Sequence, residues 1–381
     1  MKRLLPVLLI GTLVACGRPS TPGDDPSPPF VFRSLNLRQQ DSRGQPAWEL
    51  TSPEARYDIR RRVAQALKPR GVIYAEGKPL YRVEASSGVV LNDGDVIQLE
   101  GKIRLQRLGA EPVLIRASQV RWLPSQRRME LDRHPEALDR HNRLVAEKAR
   151  FLLDKEVLQL RGKPRLERWA EAFQPSAGPP GAAETVLTVA QLDWHPGSGR
   201  LEAAGPVQAT RRPRGRAGGL APQTLSASGL QGNTREQRFS LLAPVRFDDP
   251  VEGTTLTAQQ VEVMLEGNRI RTDAPFSGQR QDLQVRGQSL RVSGNESLVE
   301  IPAGCLLDRP GESLRAGRCL WNWSTETIEA AGDVELQRST NSQSIRAERL
   351  SGRLGSGGSI EASSPGGRVV SRFRVPPPRR P

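Results

Sequence analysis

The sequence is short of the residues on which most chemistry depends. It contains three His and three Cys in 381 residues, so a Cys/His zinc cluster or a haem framework has almost no material to be built from. Aromatic residues amount to 4%, and the apolar run at residues 4–15 is too short to span a bilayer. There is no G-x-S-x-G elbow, no H-E-x-x-H, no Walker loop and no C-x-x-C. His134 and His141 sit in a charged stretch, and His195 follows Trp194 just before Pro196-Gly197. No recurring spacing holds an acid or nucleophile beside them, so surface or turn roles fit them better than catalysis. The expectation is a non-enzyme without cofactor or metal. Acidic residues are also outnumbered, 42 against 56 Lys and Arg, for a net charge of +14. Hydrophobic content of 36% and a mean hydropathy of −0.51 exclude a polytopic membrane protein, while the Val/Ile/Leu supply is too regular for a disordered chain.

Lys2 and Arg3 precede the apolar run, which ends in Leu13-Val14-Ala15-Cys16. That ending resembles the lipobox of bacterial lipoproteins: small residues suit the signal peptidase, and Cys16 takes the lipid. The protein is expected to leave a bacterial cytoplasm and to be held at a membrane face by acyl chains. A nucleic-acid partner is excluded on that account, since such a protein should be cytoplasmic and should cluster its charge. Here Arg is scattered from Arg33 to Arg380. The excess fits either a solvated surface or a preference for anionic partners such as phosphate-bearing lipids, and the sequence leaves both open. Residues 17–29, rich in Pro, read as a tether reaching on the order of 40 Å.

Between these tails a unit repeats, written apolar-x-small-x-x-apolar-x-large. It begins at Leu50, Val83, Ile115, Leu144, Leu187, Leu225, Leu256, Val285, Leu314 and Ile345. Period-two alternation means strand, and the step of three in the middle breaks it once per copy, as a bulge or corner does. Fourteen residues after the first apolar position a second alternating strand follows in most copies, around a small central residue, as in Ile97-Leu99-Gly101-Ile103-Leu105. Pro at or beside that centre, in Gly205-Pro206, Ala243-Pro244 and Ala274-Pro275, marks another crease. Each unit is therefore two bent antiparallel strands, and the two long intervals locate insertions at residues 174–183 and 211–222.

A period of about 30 with one such unit per period predicts a stacked array in which no unit buries its apolar face alone. Bent strands stacked in register make a sheet folded over itself, a trough roughly 50 to 95 Å long. Residues 136–160 contest this, being rich in good helix formers. The repeat register runs through them unadjusted at Leu144, Ala146, Ala149 and Phe151, so strands are predicted there.

Three segments carry a family resemblance: Asp41-Ser42-Arg43-Gly44-Gln45-Pro46-Ala47-Trp48-Glu49-Leu50, Gly71-Val72-Ile73-Tyr74-Ala75-Glu76-Gly77-Lys78-Pro79, and Ile97-Gln98-Leu99-Glu100-Gly101-Lys102-Ile103-Arg104-Leu105. They resemble the LptC family, the periplasmic component of the lipopolysaccharide-export ABC transporter. The likeness is strongest over residues 35–105, and a wider OstA-like pattern extends over most of the rest. The resemblance implies an all-β chain, an elongated antiparallel β-jellyroll or β-taco of about ten two-strand repeats. It implies a groove that takes lipopolysaccharide from the inner-membrane ABC exporter and passes it to another periplasmic jellyroll, joined by edge-strand addition, toward the outer membrane. It places the anchor on the periplasmic face of the inner membrane. Typical members have a transmembrane anchor and one short jellyroll, whereas this chain has a lipobox and roughly twice the repeats.

On this reading the chain divides into a signal peptide at 1–15, a Pro-rich tether at 16–30, an LptC-like jellyroll half at 31–170, a Gly/Pro/Ala linker at 171–184, an OstA-like half at 185–372 and a Pro/Arg tail at 373–381. The expected acyl-chain contacts are Ile115, Val120, Trp122, Phe151, Leu192, Trp194, Val261 and Trp321. Alternation alone fits a filled, closed core equally well, which would make the chain a structural or adhesive β-repeat lipoprotein of the envelope. A polysaccharide-active β-helix enzyme is a third reading, which would need a cluster of carboxylates on one outward ladder. Cys305 and Cys319 fall at apolar positions of neighbouring units, where they either form a rung-to-rung disulfide or remain two buried thiols.

Overall fold

A computed structural model describes residues 30–212, 221–339, 342–353 and 358–373. The expected signal peptide with Cys16, the expected tether up to residue 29, most of the 211–222 insertion and all of the tail beyond Phe373 lie outside the described residues. What is described is one continuous 34-stranded antiparallel sheet with no α-helix among the described residues. No helix there is long and apolar enough to cross a membrane.

The sheet is folded lengthwise into two walls. Unit after unit, the chain climbs one wall, turns a corner into the other, reverses in a hairpin, and returns by the same route. Val96–Arg107 and Val113–Leu123 show the course: Leu105 pairs with Ile115 on the first wall, and Ile97 pairs with Trp122 on the second. Between them the register slips at Ala117/Gln119, where the repeat loses its alternation. The same slip recurs at Ala204/Val207, Ser226/Gly229, Leu242/Val245 and Ala331/Val334. Elsewhere the corner breaks the strand in two, as between Pro46–Ser52 and Glu54–Asp58. Each wall thus carries about twenty rungs, a stack of about 95 Å at 4.8 Å per rung.

Two local features fix the bend. Gly101 and Gly205 sit at corners with φ of +91° and +86°. A Cβ on Gly101 would stand 2.5 Å from the Ser86 side chain, and one on Gly205 2.7 Å from Ala190, so only glycine lets the backbone cross there. Pro206 and Pro244 fall inside register slips and Pro275 falls between strands, where no ladder bond needs their missing N–H. At the hairpin ends of the second wall the fixed fourteen-residue interval becomes one turn used repeatedly. Four loop residues separate the paired ends, and the last takes positive φ at Arg62, Arg127, Glu156, Gln237, Asn268, Ser297 and Glu326.

Residues 136–160 are strands, Glu136–Leu138, Asn142–Val145, Lys148–Leu152 and Val157–Arg161. Burying Leu144, Phe151 and Leu158 against the opposite wall is worth about 1.5–3 kcal/mol each, more than the helix propensity of the segment. The ladder also runs unbroken past the Gly/Pro/Ala stretch, because Arg165–Arg168 pairs with Thr185–Thr188. That stretch folds back on the first wall, where Arg116 donates to the carbonyls of Pro175 and Ser176.

Candidate functional site

The space between the walls is lined by the apolar position of every strand, and successive rungs join these positions into rows. On the second wall the row nearest the mouth runs Trp122, Met129, Phe151, Leu158, Trp194 and Leu201. It continues through Gly232, Phe239, Val263, Ile270, Val292, Val299 and Trp321 to Ile328. A deeper row holds Val120, Leu192 and Val261, and Ile115 faces them from the first wall. Thus Trp122, Phe151, Trp194 and Trp321 share one row, while Val120, Leu192 and Val261 share the next. All eight expected contacts point inward. Seven are buried, at 3% exposure or less; Trp321 is half-buried against the core.

The mouth is not uniform along its length. Near the N-terminal end, bonds tie the rim of one wall to the other. Trp48 meets Trp122 edge to face at 5.3 Å, and Tyr81 meets Phe151 in the same way at 5.3 Å. The Tyr81 hydroxyl donates to Glu156 Oε1 at 2.6 Å, and Arg107 Nε donates to the same oxygen at 2.7 Å. Burial first, and then the Glu156 charge, push the Tyr81 hydroxyl far above the ordinary tyrosine range. Burial pulls the Arg107 guanidinium down, but the Glu156 carboxylate outweighs it and the net shift is upward. Further on, Arg168 Nη2 donates to Gln237 Oε1 at 2.9 Å, beside a hollow of about 200 Å³ lined by Val113, Arg140, Trp194 and Arg235.

Beyond Gln237 the rims part. Leu225, Phe247 and Leu256 on the first wall are half-buried, as are Phe239, Val263, Ile270, Val292, Val299 and Trp321 on the second. The deeper positions Leu241, Val261, Leu290 and Ile301 stay buried. The next bond across the mouth is Arg338 Nη1 to the Gly358 carbonyl at 3.3 Å. Within this parted stretch Cys305 of the first wall is joined to Cys319 of the second by a disulfide, with Cα atoms 5.9 Å apart, which ties the walls at the crease and leaves the rims free.

One feature of the rim escaped the sequence reading, which took the arginines as scattered. Arg107, Arg168, Arg211, Arg280, Arg309 and Arg338 occupy a single cross-strand row on the first wall. Each stands two residues after an inward apolar or small residue, as in Leu105-Gln106-Arg107 and Leu336-Gln337-Arg338, and the last three are spaced 29 residues apart. Searching the repeat for polar positions as well as apolar ones would have found them.

Two facing walls of bent antiparallel strands, creased along one side and mouthed along the other, define a β-jellyroll of the trough type. Residues 7–166 match the family described as lipopolysaccharide-assembly, LptC-related, so over that span the resemblance read from the sequence is borne out. A solved structure with which the chain shares similarity is LptH, described as the LptA-homologous periplasmic component of the conserved lipopolysaccharide transport device from Pseudomonas aeruginosa. The identity is 14%, the TM-score 0.26, and the match covers 31% of this chain and 83% of that one. No curated protein matches the chain.

Proposed function

We propose that this protein is a non-catalytic lipopolysaccharide carrier of the periplasm, held by a lipid on Cys16 at the periplasmic face of the inner membrane. It accepts the lipid from the inner-membrane ABC exporter and passes it between the two walls toward the outer membrane. The observation that carries this reading is an interior lined, among the described residues, by continuous apolar rows and bounded by a mouth on one side. Moving a multi-acyl lipid through water requires an apolar track from which the head group can stay wet. Ile115, Val120, Trp122, Phe151, Leu192, Trp194, Val261 and Trp321 are the acyl-chain contacts on this view, the buried ones being reached as the walls separate.

The two ends of the stack support a bridge built by strand addition. Phe30–Phe32 and Val370–Arg372 have no strand on their outer sides among the described residues, and Phe30, Val31, Phe32, Val369, Val370 and Phe373 expose their side chains there. The alternative, a structural lipoprotein with a closed core, is favoured by one observation, the full burial of Trp122, Phe151 and Trp194. Photocrosslinking in cells decides between them, with a probe at Trp122, Trp194, Val261 or Trp321 and an outward control at Arg121. Lipopolysaccharide adducts confined to the inward positions support the carrier. Their absence at every inward site, with the protein folded and exported, would sink it.

A further inference from the structure

The parted stretch of the mouth brings three features together. The first is partly exposed apolar surface: Leu225 and Leu256 on the first wall, whose row is buried again from Val285 to Leu336, and Val263, Val292 and Trp321 along the second. The second is the arginine row along the rim of the first wall, here Arg280, Arg309 and Arg338. Neighbours in it stand two rungs apart, about 10 Å. The third is unmet hydrogen bonding. Arg280 is bonded to Glu252, Arg309 to Asp282 and Arg338 to Glu312 and the Gly358 carbonyl. Yet Arg309 Nε and Arg338 Nη2 remain buried donors with no acceptor among the described residues.

A buried N–H without an acceptor is costly to leave so, and a guanidinium fork is shaped to take an oxyanion on two N–H groups at once. The acceptor must also arrive from the mouth, because these arginines face the interior with the apolar residues of their strands. In the shut stretch Arg107 is bonded to Glu156, and Arg168 to Asn142 and Gln237.

We propose that the parted stretch is the lipid-holding site of the protein and that it takes an acylated phosphate. The acyl chains lie against the half-buried rows, and the phosphate oxygens accept from Arg309 and Arg338 at the rim. This rests on the carrier reading and adds to it the place of loading, in the part of the chain outside the family match, and the head-group chemistry that is recognised.

The test uses the purified full chain with lipopolysaccharide, the same lipopolysaccharide stripped of phosphate by a phosphatase, and inorganic phosphate as competitor. Wild type should prefer the phosphorylated lipid by about tenfold, the yield of one charge-assisted bond pair. The double variant Arg309→Gln/Arg338→Gln should lose that preference while still binding the stripped lipid, and Arg349→Gln on the outer face should keep it. If the Gln variant misfolds by circular dichroism, Arg309→Lys/Arg338→Lys keeps the charges without the fork and should lose most of the preference. Equal binding of both lipids by wild type, or a preference that survives in the folded variants, overturns the phosphate site and leaves the carrier reading standing. Displacement of the lipid by millimolar inorganic phosphate would overturn the lipid source in favour of a free-anion site. Binding of neither lipid would defeat the carrier reading itself.

Discussion

Up to Gln237 and beyond it, the molecule is built from the same repeat and turned by the same corners and hairpins, yet its mouth is shut in one stretch and parted in the other. The row through Trp122 and Phe151 is the row through Val263 and Val299; only what meets it from the opposite rim differs. In the shut stretch the opposite rim offers Trp48, Tyr81 and Arg107, large enough to reach across. In the parted stretch it offers Thr254, Arg280 and Arg309, whose bonds to Glu252, Asp282 and one another stay within their own wall. An array of identical strands therefore acquires two functional regions through a handful of rim residues, and the contrast can be tested from both sides.

The largest effect is expected in the shut stretch. Trp122→Ala removes a ring buried to 1% exposure and packed edge to face against Trp48, and should cost about 3–5 kcal/mol in urea unfolding. Trp321→Ala, half-buried in the parted stretch, should cost about half as much. Trp122→Phe should be mild, because the indole Nε1 it deletes is a buried donor without an acceptor. Equal costs for the two alanine variants would erase the distinction between the stretches.

Next comes the crease. Reducing or replacing Cys305–Cys319, 14 residues apart, should cost about 3 kcal/mol. Hydrogen exchange should rise in the parted stretch first, since no rim bonds support it there. The corner follows: Gly101→Ala meets Ser86 and a positive φ and should cost about 1–2 kcal/mol, whereas Lys68→Gly, at a corner where φ is +47°, should be neutral or stabilising. Thermal midpoints of the two variants should move in opposite directions.

The latch is a smaller effect with a sharper readout. Tyr81→Phe removes one bond to Glu156 and should cost about 1 kcal/mol, while raising lipid adducts at a probe on Phe151 if the shut stretch opens for passage. Unchanged adducts would mean that the aromatic stacking holds the rims without it. Smallest is a pH effect at the N-terminal end, where Arg62 and then Tyr57 hold the exposed Asp93 carboxyl below its ordinary value. A depressed carboxyl contributes stability above its unfolded pKa of about 3.9 and loses it as pH falls through the folded value. Amide protection in the 92–95 turn should therefore be steady from pH 7 to about 5 and fall below about 4.

Much of the architecture was legible in the chain. The step of three in Ile115, Ala117, Val120 and Trp122 marks the corner in the sequence itself, because a strand cannot change face without losing one beat of its alternation. The strands at 136–160 were legible for the same reason, against their helix propensity. The contacts that shut the mouth were not, since Tyr81 and Glu156 lie 75 residues apart and belong to different walls, and alternation is blind to such partners. The arginine row was legible but hidden by composition: scattered along the chain, Arg107, Arg168, Arg280, Arg309 and Arg338 recur at one repeat position.

What the sequence by itself determined is the repeating bent strand, the two-walled sheet and the inward apolar rows, because these follow from local periodicity and from where glycine and proline fall. What only the tertiary structure decided is how far the walls stand apart at each level. That depends on which rim side chains happen to face each other across the mouth, and those pairs are set by how the two walls cross and not by any spacing along the chain.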